Sequence, residues 1–150
     1  PYYKNIGKRL EKSPKLYLCD TGLAAFLMGF ENWEGMARHP VIGALWETHV
    51  VMQVVKHFFS LGKTIPLWFW RTSQGEEIDL LVERGGQFIA IECKYAEHVD
   101  RSSLKGFNAL IKSYGSKSLM AGYVASKTRL RYPLTESISS VPGSFIDCVL

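Results

Sequence analysis

Two carboxylates and a lysine in the middle of the chain have types and spacing that could form a site for a cation: Asp79, Glu92 and Lys94. Because Glu92 and Lys94 are two positions apart, a β-strand would direct both side chains to the same face. Asp79 precedes them on what reads as the neighbouring strand. A cation between the two carboxylates would remove their mutual repulsion, and Lys94 supplies part of that positive charge.

A β-hairpin is predicted to bring these residues together. Apolar residues typical of strands flank Gly85 and Gly86, a pair that can adopt the positive φ angles of a two-residue turn. When strand pairs are counted outward from that turn, Asp79 lies opposite Glu92. Like charges in this position destabilise a sheet, so the pairing itself predicts a positively charged partner.

Both strands of the hairpin are predicted to be covered on their two faces. Alternation places Ile78, Leu80 and Val82 on one face, and Leu81 beside the charged residues on the other. Strands that are apolar on both faces are usually central in their sheet. Acidic side chains in such a strand are rarely buried unless they are paired or bound to a metal.

A long helix is predicted between Pro40, which suits a first helical turn, and Gly62, which suits a helix end. At about 100° per residue, Glu47 falls on the apolar face of this helix, opposite its polar residues. A glutamate in that position faces the sheet. Two interpretations remain open: a structural glutamate paired with an arginine or lysine, or a member of the same site as Asp79 and Glu92.

The remaining pattern of the chain predicts an α/β fold with a mixed sheet. Further helices are expected from Asp20 or Thr21 to near Gly29 and from Ser102 or Ser103 to Gly115, with a loop over 31–39. Further strands are expected over 15–18, 67–71, 118–124 and 145–150.

Length and composition indicate one globular domain of 150 residues. Three cysteines without CxxC spacing argue for a reducing cytoplasm, and against a disulfide framework or a structural zinc site. No apolar stretch is long enough to span a membrane. The formal net charge of +4 permits nucleic-acid binding without demonstrating it.

Basic residues form two clusters that are candidates for contacts with phosphate groups. The first lies within residues 1–15 and is interpreted either as a solvated linker or as a phosphate-contacting arm. The second consists of Lys127, Arg129 and Arg131. Arg71, at the end of a predicted strand, could hold a phosphate or neutralise Glu47 or Asp79 as a structural ion pair.

Glu47 on a helix, Asp79 at the start of a strand and the run Glu92-Cys93-Lys94 together resemble the site of the PD-(D/E)XK nuclease superfamily. Ile78 stands where the proline of that name would be. The resemblance implies a restriction-endonuclease-like core, with a central mixed β-sheet flanked by helices. It also implies phosphodiester hydrolysis that depends on Mg²⁺ or Mn²⁺.

Roles for single residues follow from this resemblance. Metal binding would fall to Asp79, Glu92, the backbone carbonyl of Cys93 and, for a second metal or a metal-bound water, Glu47. Lys94 would position or deprotonate the attacking water and stabilise the charge that develops on the phosphate. Glu77 is interpreted either as an extra ligand or as a surface charge at a strand end.

A closer resemblance covers nearly the whole chain. The similar segments are 12–23, 43–47, 69–72, 75–79 and 91–95, and they look like the C-terminal domain of unknown function in a family of archaeal and bacterial AAA-type ATPases. In that family an ATPase and a winged helix precede this domain, and this sequence has no GxxxxGK[ST] motif. The resemblance implies a basic linker over 1–12 and a PD-(D/E)XK nuclease-like domain over 13–150.

The expected function is therefore that of a nuclease-like domain of an AAA-type ATPase, a metal-dependent deoxyribonuclease. One alternative is a non-catalytic module on the same fold, which binds nucleic acid or a partner and regulates the ATPase. A third interpretation is a purely structural ion network. The expected partners are DNA and the ATPase portion of the same longer protein, without membrane association and with homo-oligomer formation left open.

Overall fold

A computed structural model describes residues 1–2, 14–64 and 67–150. The helices are α1 (Thr21–Leu27), α2 (Trp33–Arg38), α3 (Ile42–Ser60) and α4 (Lys105–Tyr114). The strands are β1 (Leu67–Arg71), β2 (Glu77–Arg84), β3 (Gln87–Cys93), β4 (Leu119–Ser126), β5 (Tyr132–Pro133) and β6 (Ile138–Pro142). Short 3₁₀ helices span Arg101–Leu104, Ser116–Ser118 and Gly143–Val149. No helix in these ranges has both the length and the apolar character needed to cross a membrane.

Within the described ranges, the strands form one sheet in the order β1-β2-β3-β4-β6-β5. β1, β2 and β3 are antiparallel neighbours, whereas β4 runs parallel to both β3 and β6. The connection from β3 to β4 contains α4, because two parallel strands need a long crossover. Helices packed on a mixed sheet confirm the α/β class that the sequence predicts.

The sheet has a hydrophobic core on each face. Beneath α3, buried Val54 packs in one cluster with Ile91 of β3. Beneath α4, buried Phe107 and Leu110 pack in a second cluster with Leu81 of β2. The central strands are therefore covered on both faces, as predicted, and polar side chains on them are shielded from water.

The hairpin of β2 and β3 has the predicted register from its turn as far as the pair of Leu80 with Ile91. Gly85 and Gly86 form the turn with φ angles of 59° and 81°, and Arg84 pairs with Gln87 beside it. Glycine adopts such angles without the steric penalty that a Cβ atom brings. The tight turn fixes which residues meet at the far end of the hairpin.

A β-bulge in β2 changes which way its side chains point. Ile78 and Leu81 pair with alternate residues of β1, so a single β1 residue lies opposite both Asp79 and Leu80. As a result Ile78 packs in the core beneath α4, whereas Leu80 packs in the core beneath α3. The prediction that Ile78 and Leu80 share a face is wrong, because strict alternation assumes a strand without a bulge.

The predicted helices are largely confirmed. α1 begins after Asp20, whose carboxylate accepts a hydrogen bond from a backbone N–H of the first turn. α3 lies between Pro40 and Gly62, and α4 ends at Gly115. The cap before α4 differs from the prediction, since Asp100 and not a serine caps the preceding 3₁₀ helix.

Three expectations about local structure are wrong. Residues 15–18 form no strand, and the polar side chains of Lys15 and Tyr17 contact carboxylates of α3 and of the sheet. Asn32 caps a short helix, α2, within the expected loop. Residues 143–149 form a 3₁₀ helix, and the last strand along the chain is β6, at 138–142.

Candidate active site

Lys15 lies at the centre of the candidate site. Its Nζ is 2.7 Å from Glu47 Oε1, 2.5 Å from Glu77 Oε1 and 3.2 Å from Asp79 Oδ1. Burial alone would lower the pKa of Lys15, but the charge of Asp79 and the hydrogen bonds to Glu47 and Glu77 raise it well above its usual value. Lys15 is therefore an ammonium ion at neutral pH, and it is 18% exposed.

α3 presents Glu47 on the side that faces the sheet, as the helical wheel predicts. The Tyr17 hydroxyl donates a hydrogen bond to Glu47 Oε1 at 2.7 Å. Burial, and then this bond to Glu47, raise the pKa of Tyr17. Glu47 thus has the lysine partner that the structural interpretation expects and also the nearness to Asp79 that the site interpretation expects.

Asp79 reaches this cluster from the bulge of β2. Its Oδ1 contacts Lys15, and its Oδ2 accepts a hydrogen bond from the backbone N–H of Cys93 at 2.8 Å. Burial, and then the charge of Glu47, raise the pKa of Asp79 above its usual value. The bond to Cys93 ties Asp79 to the strand that carries Glu92. The role expected for the Cys93 carbonyl as a metal ligand stays a prediction.

Glu92 and Lys94 form an ion pair at the end of β3, with Lys94 Nζ 2.7 Å from Glu92 Oε1. Burial, and then the charge of Asp79, raise the pKa of Glu92 to about 7. Its second oxygen, Oε2, is buried and has no hydrogen-bond partner among the described residues. A buried carboxylate oxygen without a donor is a position where a cation would be stabilising.

Glu77 belongs to the site and is not a surface charge at a strand end. Arg71 donates to Glu77 Oε2 through Nε at 2.9 Å and Nη2 at 2.6 Å. Burial raises the pKa of Glu77, but the hydrogen bonds from Lys15 and Arg71 outweigh it and bring that pKa below its usual value. Glu77 is therefore one partner of Arg71, and the contact of Arg71 with a phosphate stays a prediction.

The donor set suits a hard divalent cation by its chemistry. Mg²⁺ prefers oxygen ligands, and the site offers several carboxylates together with the unpartnered Glu92 Oε2. In the present arrangement, no three acidic, histidine or cysteine side chains of residues 14–64 and 67–150 could hold a metal together. The ammonium of Lys15 takes that place, so a metal between Glu47 and Asp79 would require Lys15 to move.

Lys127, the first residue of the second basic cluster, directly follows β4, and the end of β4 lies beside the end of β3. Because β3 and β4 are parallel, the Lys94 N–H donates to Ala125 O, and the Lys127 N–H donates to Ala96 O. The Lys127 ammonium lies 4.5 Å from the centre of the Tyr95 ring. Lys127 is therefore close in space to the end of β3, which carries Glu92 and Lys94.

The other two residues of this cluster lie farther along the same loop, and both are exposed. The guanidinium of Arg131 lies 5.6 Å from the centre of the Tyr123 ring and donates to Ser139 Oγ. Arg129 extends the positive charge between Lys127 and Arg131. DNA binding by these three residues stays a prediction.

Sequence reasoning missed Lys15 and Tyr17 as members of the site. Lys15 is 32 residues from Glu47 and 64 residues from Asp79, so no local pattern joins them. The local pattern indicated the opposite orientation: in a strand, the alternation of Lys15, Leu16 and Tyr17 would bury the leucine, whereas Leu16 is 98% exposed and the two polar side chains face Glu47.

Comparisons with known proteins place the site in a wider context. A model of the family described as "Domain of unknown function (DUF4143)" matches residues 42–145, which include Glu47, Asp79, Glu92 and Lys94. The uncharacterized protein Mb2031c of Mycobacterium bovis and the uncharacterized protein Rv2008c of Mycobacterium tuberculosis are each 33% identical to the chain over 147 residues. The match covers 97% of this chain and 31% of either relative.

Proposed function

Because the chain belongs to the family of the domain of unknown function DUF4143, whose description gives no activity, we propose an activity from its site: metal-dependent hydrolysis of DNA phosphodiesters. The observation that supports the proposal is that acidic side chains from α3, β2 and β3 lie close together. Glu47 of α3 and Asp79 of β2 share one ammonium partner, and Asp79 is bonded to the strand of Glu92. Lys94 pairs with Glu92 beside them.

Each of these residues has a role in the proposed reaction. Asp79 and Glu92 would hold a Mg²⁺ or Mn²⁺ ion with the Cys93 carbonyl, and Glu47 would hold a second metal or a metal-bound water. When bound, the ion would polarise the phosphate and make a water molecule more acidic. Lys94 would place its ammonium beside the attacking water and the developing negative charge, where one such group has a large effect.

The order of elements also supports the proposal. A helix, three antiparallel strands, a crossover helix and a parallel strand follow one another as α3, β1–β3, α4 and β4. This order agrees with the restriction-endonuclease-like core that the sequence resemblance implies. Fold alone does not establish activity, so the proposal rests on the site residues.

The setting of the domain in a longer protein belongs to the same proposal. The chain spans about a third of the length of the curated relatives it matches, 31% in each case. We propose that an ATPase portion accompanies this domain in the cytoplasm and that DNA is their shared partner. A homo-oligomer would place several such sites along one DNA molecule.

One observation favours a second function, that of a non-catalytic module. The Lys15 ammonium already neutralises part of the charge of Glu47, Glu77 and Asp79 without a metal. A site whose charges are balanced in this way could hold residues 14–18 on the domain without taking part in any reaction. The module would then bind nucleic acid or the ATPase portion and regulate it.

Cleavage assays separate the two functions. The chain is incubated with single-stranded, duplex and branched DNA in the presence of Mg²⁺ or Mn²⁺, and products are resolved on gels. Asp79→Ala is expected to abolish cleavage, whereas Glu136→Ala, which removes an exposed carboxylate, should retain it. If the wild type cuts no form of DNA yet binds DNA, the non-catalytic module is correct. If it neither cuts nor binds, the partner is a protein.

A further inference from the structure

Lys15 occupies the position among the carboxylates where the proposed nuclease would need its cation. We propose that Lys15 is an internal counter-ion that excludes a divalent metal, so that Lys15 and the metal occupy the site one at a time. The inference rests on the proposed function for its biological meaning, but its physical content is the competition between two cations. It assigns residues 14–18 as the segment that controls access of metal to the site.

The contacts of Lys15 are those that a metal would have to replace. Its ammonium bridges α3 and β2, through Glu47 on the helix and Glu77 and Asp79 on the strand. Cations that need the same carboxylate oxygens cannot both be held at short distance, because each also repels the other. Lys15 is long and flexible, with a compact charge on a four-carbon stem, so it can leave the carboxylates without moving the sheet.

The segment that carries Lys15 lies over the site without belonging to a helix or strand. Its two inward side chains, Lys15 and Tyr17, both bond to Glu47. Leu16 between them is 98% exposed, and Leu18 is 48% exposed. The segment is therefore held by polar contacts to the carboxylates and by the Tyr17 ring, which packs against the core beneath α3, and a metal would compete with the polar contacts.

A purely structural ion pair makes the opposite prediction about metal. If Lys15 served only to neutralise buried acids that cannot converge on a metal, its removal would leave those acids uncompensated and the protein less stable, with no gain in affinity for a divalent metal. If Lys15 competes with metal, its removal frees carboxylate oxygens that are already converged. Removing the ammonium should then strengthen metal binding.

The first test measures Mn²⁺ binding by titration calorimetry on the whole chain and on Lys15→Met. Methionine keeps much of the length of the side chain and removes the charge. The variant is expected to bind Mn²⁺ at least about tenfold more tightly than the wild type, since a charge at contact distance from several ligands is removed. Lys112→Met, which removes an exposed charge on α4, is the matched control and should bind as the wild type does.

A second measurement needs no variant and guards against a Lys15→Met chain that does not fold. Lysine amines of the wild type are labelled by acetylation with and without Mn²⁺, and the rate at each lysine is read by mass spectrometry. Mn²⁺ should increase the labelling of Lys15 several-fold and leave Lys112 unchanged. Lys15→Arg, which keeps the positive charge, should bind Mn²⁺ no better than the wild type.

Either of two results overturns the proposal. One is a folded Lys15→Met chain that binds Mn²⁺ no more tightly than the wild type, including no binding by either. The other is Lys15 labelling that stays low when Mn²⁺ is saturating. A different outcome concerns the nuclease: if Lys15→Met binds Mn²⁺ tightly but cuts no DNA, the competition stands and the proposed function fails.

Discussion

Among single residues, Glu92 should have the clearest effect on stability in the absence of metal. Its pKa is about 7 in the folded chain, against 4.5 for an ordinary glutamate. Below the lower of these two pKa values, Glu92 is protonated in both the folded and the unfolded chain, so its shifted pKa does not alter the free energy of unfolding. Between the two values the unfolded chain binds fewer protons than the folded chain, so stability falls as pH rises; above the higher value the loss is complete.

Glu92→Gln is therefore expected to stabilise the protein at alkaline pH and not at acidic pH. In the presence of a chelator, its free energy of unfolding should exceed that of the wild type by on the order of 1–3 kcal/mol near pH 8, with little difference near pH 4. Denaturant unfolding at several pH values measures this. Glu136→Gln, at an exposed position, is the control. A difference that does not vary with pH would contradict the prediction.

Lys94 is the residue whose loss should separate chemistry from binding. Lys94→Ala is expected to reduce Mg²⁺-dependent cleavage about a hundredfold or more, because its ammonium would act on the water and the developing charge. DNA affinity should remain nearly intact, since one lysine among several basic groups contributes little. Single-turnover cleavage and DNA titration measure the two effects. Unchanged cleavage in the variant would remove Lys94 from the proposed mechanism.

At the scale of elements, the hairpin and its bulge show where prediction from sequence succeeds and fails. The register followed from Gly85 and Gly86, because two adjacent glycines between apolar strand-forming residues favour a two-residue turn, and both have positive φ angles there. The bulge at Asp79 and Leu80 could not be foreseen, since it depends on how many β1 residues face β2. The number of β1 residues that face β2 depends on how the two hydrophobic cores pack, and no local sequence pattern indicates it.

The close approach of α4 to β2 gives a prediction about an element as a whole. A Cβ atom on Gly106 of α4 would overlap the carbonyl oxygen of Glu77 at the start of β2. Gly106→Ala should therefore push the helix from the strand and destabilise the protein by about 1–3 kcal/mol, as overpacking does. Denaturant unfolding measures the change.

The control for this change lies in α3. A Cβ atom on Gly43 would meet nothing within 4 Å. Gly43→Ala should therefore stabilise the chain by about 0.5–1 kcal/mol, because alanine favours the helix. Equal effects of the two substitutions would show that α4 can shift away from β2 at no cost.

At the scale of the whole molecule, prediction from sequence failed where a residue's contacts join distant parts of the chain. Glu47 was predictable because the face of a helix is a local property. Lys15 was not, because its partners lie 32 and 64 residues away. The two strands that prediction missed, β5 and β6, are short; β6 joins the sheet by pairing with β4, and β5 pairs with β6.

The basic loop after β4 gives a prediction for binding by the molecule as a whole. Changing Lys127, Arg129 and Arg131 together to glutamine should weaken DNA binding and reduce its salt dependence, because fewer counter-ions are released. Cleavage at saturating DNA should be preserved. The matched control replaces three other exposed lysines with glutamine: Lys105, Lys112 and Lys117. Equal losses in both triple variants would show that only net charge matters.

The two edges of the sheet bear on how copies of the molecule meet in solution. At one edge, β5 has two residues and includes Pro133, which has no N–H to offer a neighbouring strand. At the other edge, the backbone N–H of Tyr2 donates to Phe69 O of β1. Pairing of edge strands between copies of the molecule is therefore disfavoured at both edges of the sheet. Concentrated protein should resist fibrillar aggregation, and any assembly should form through side-chain surfaces.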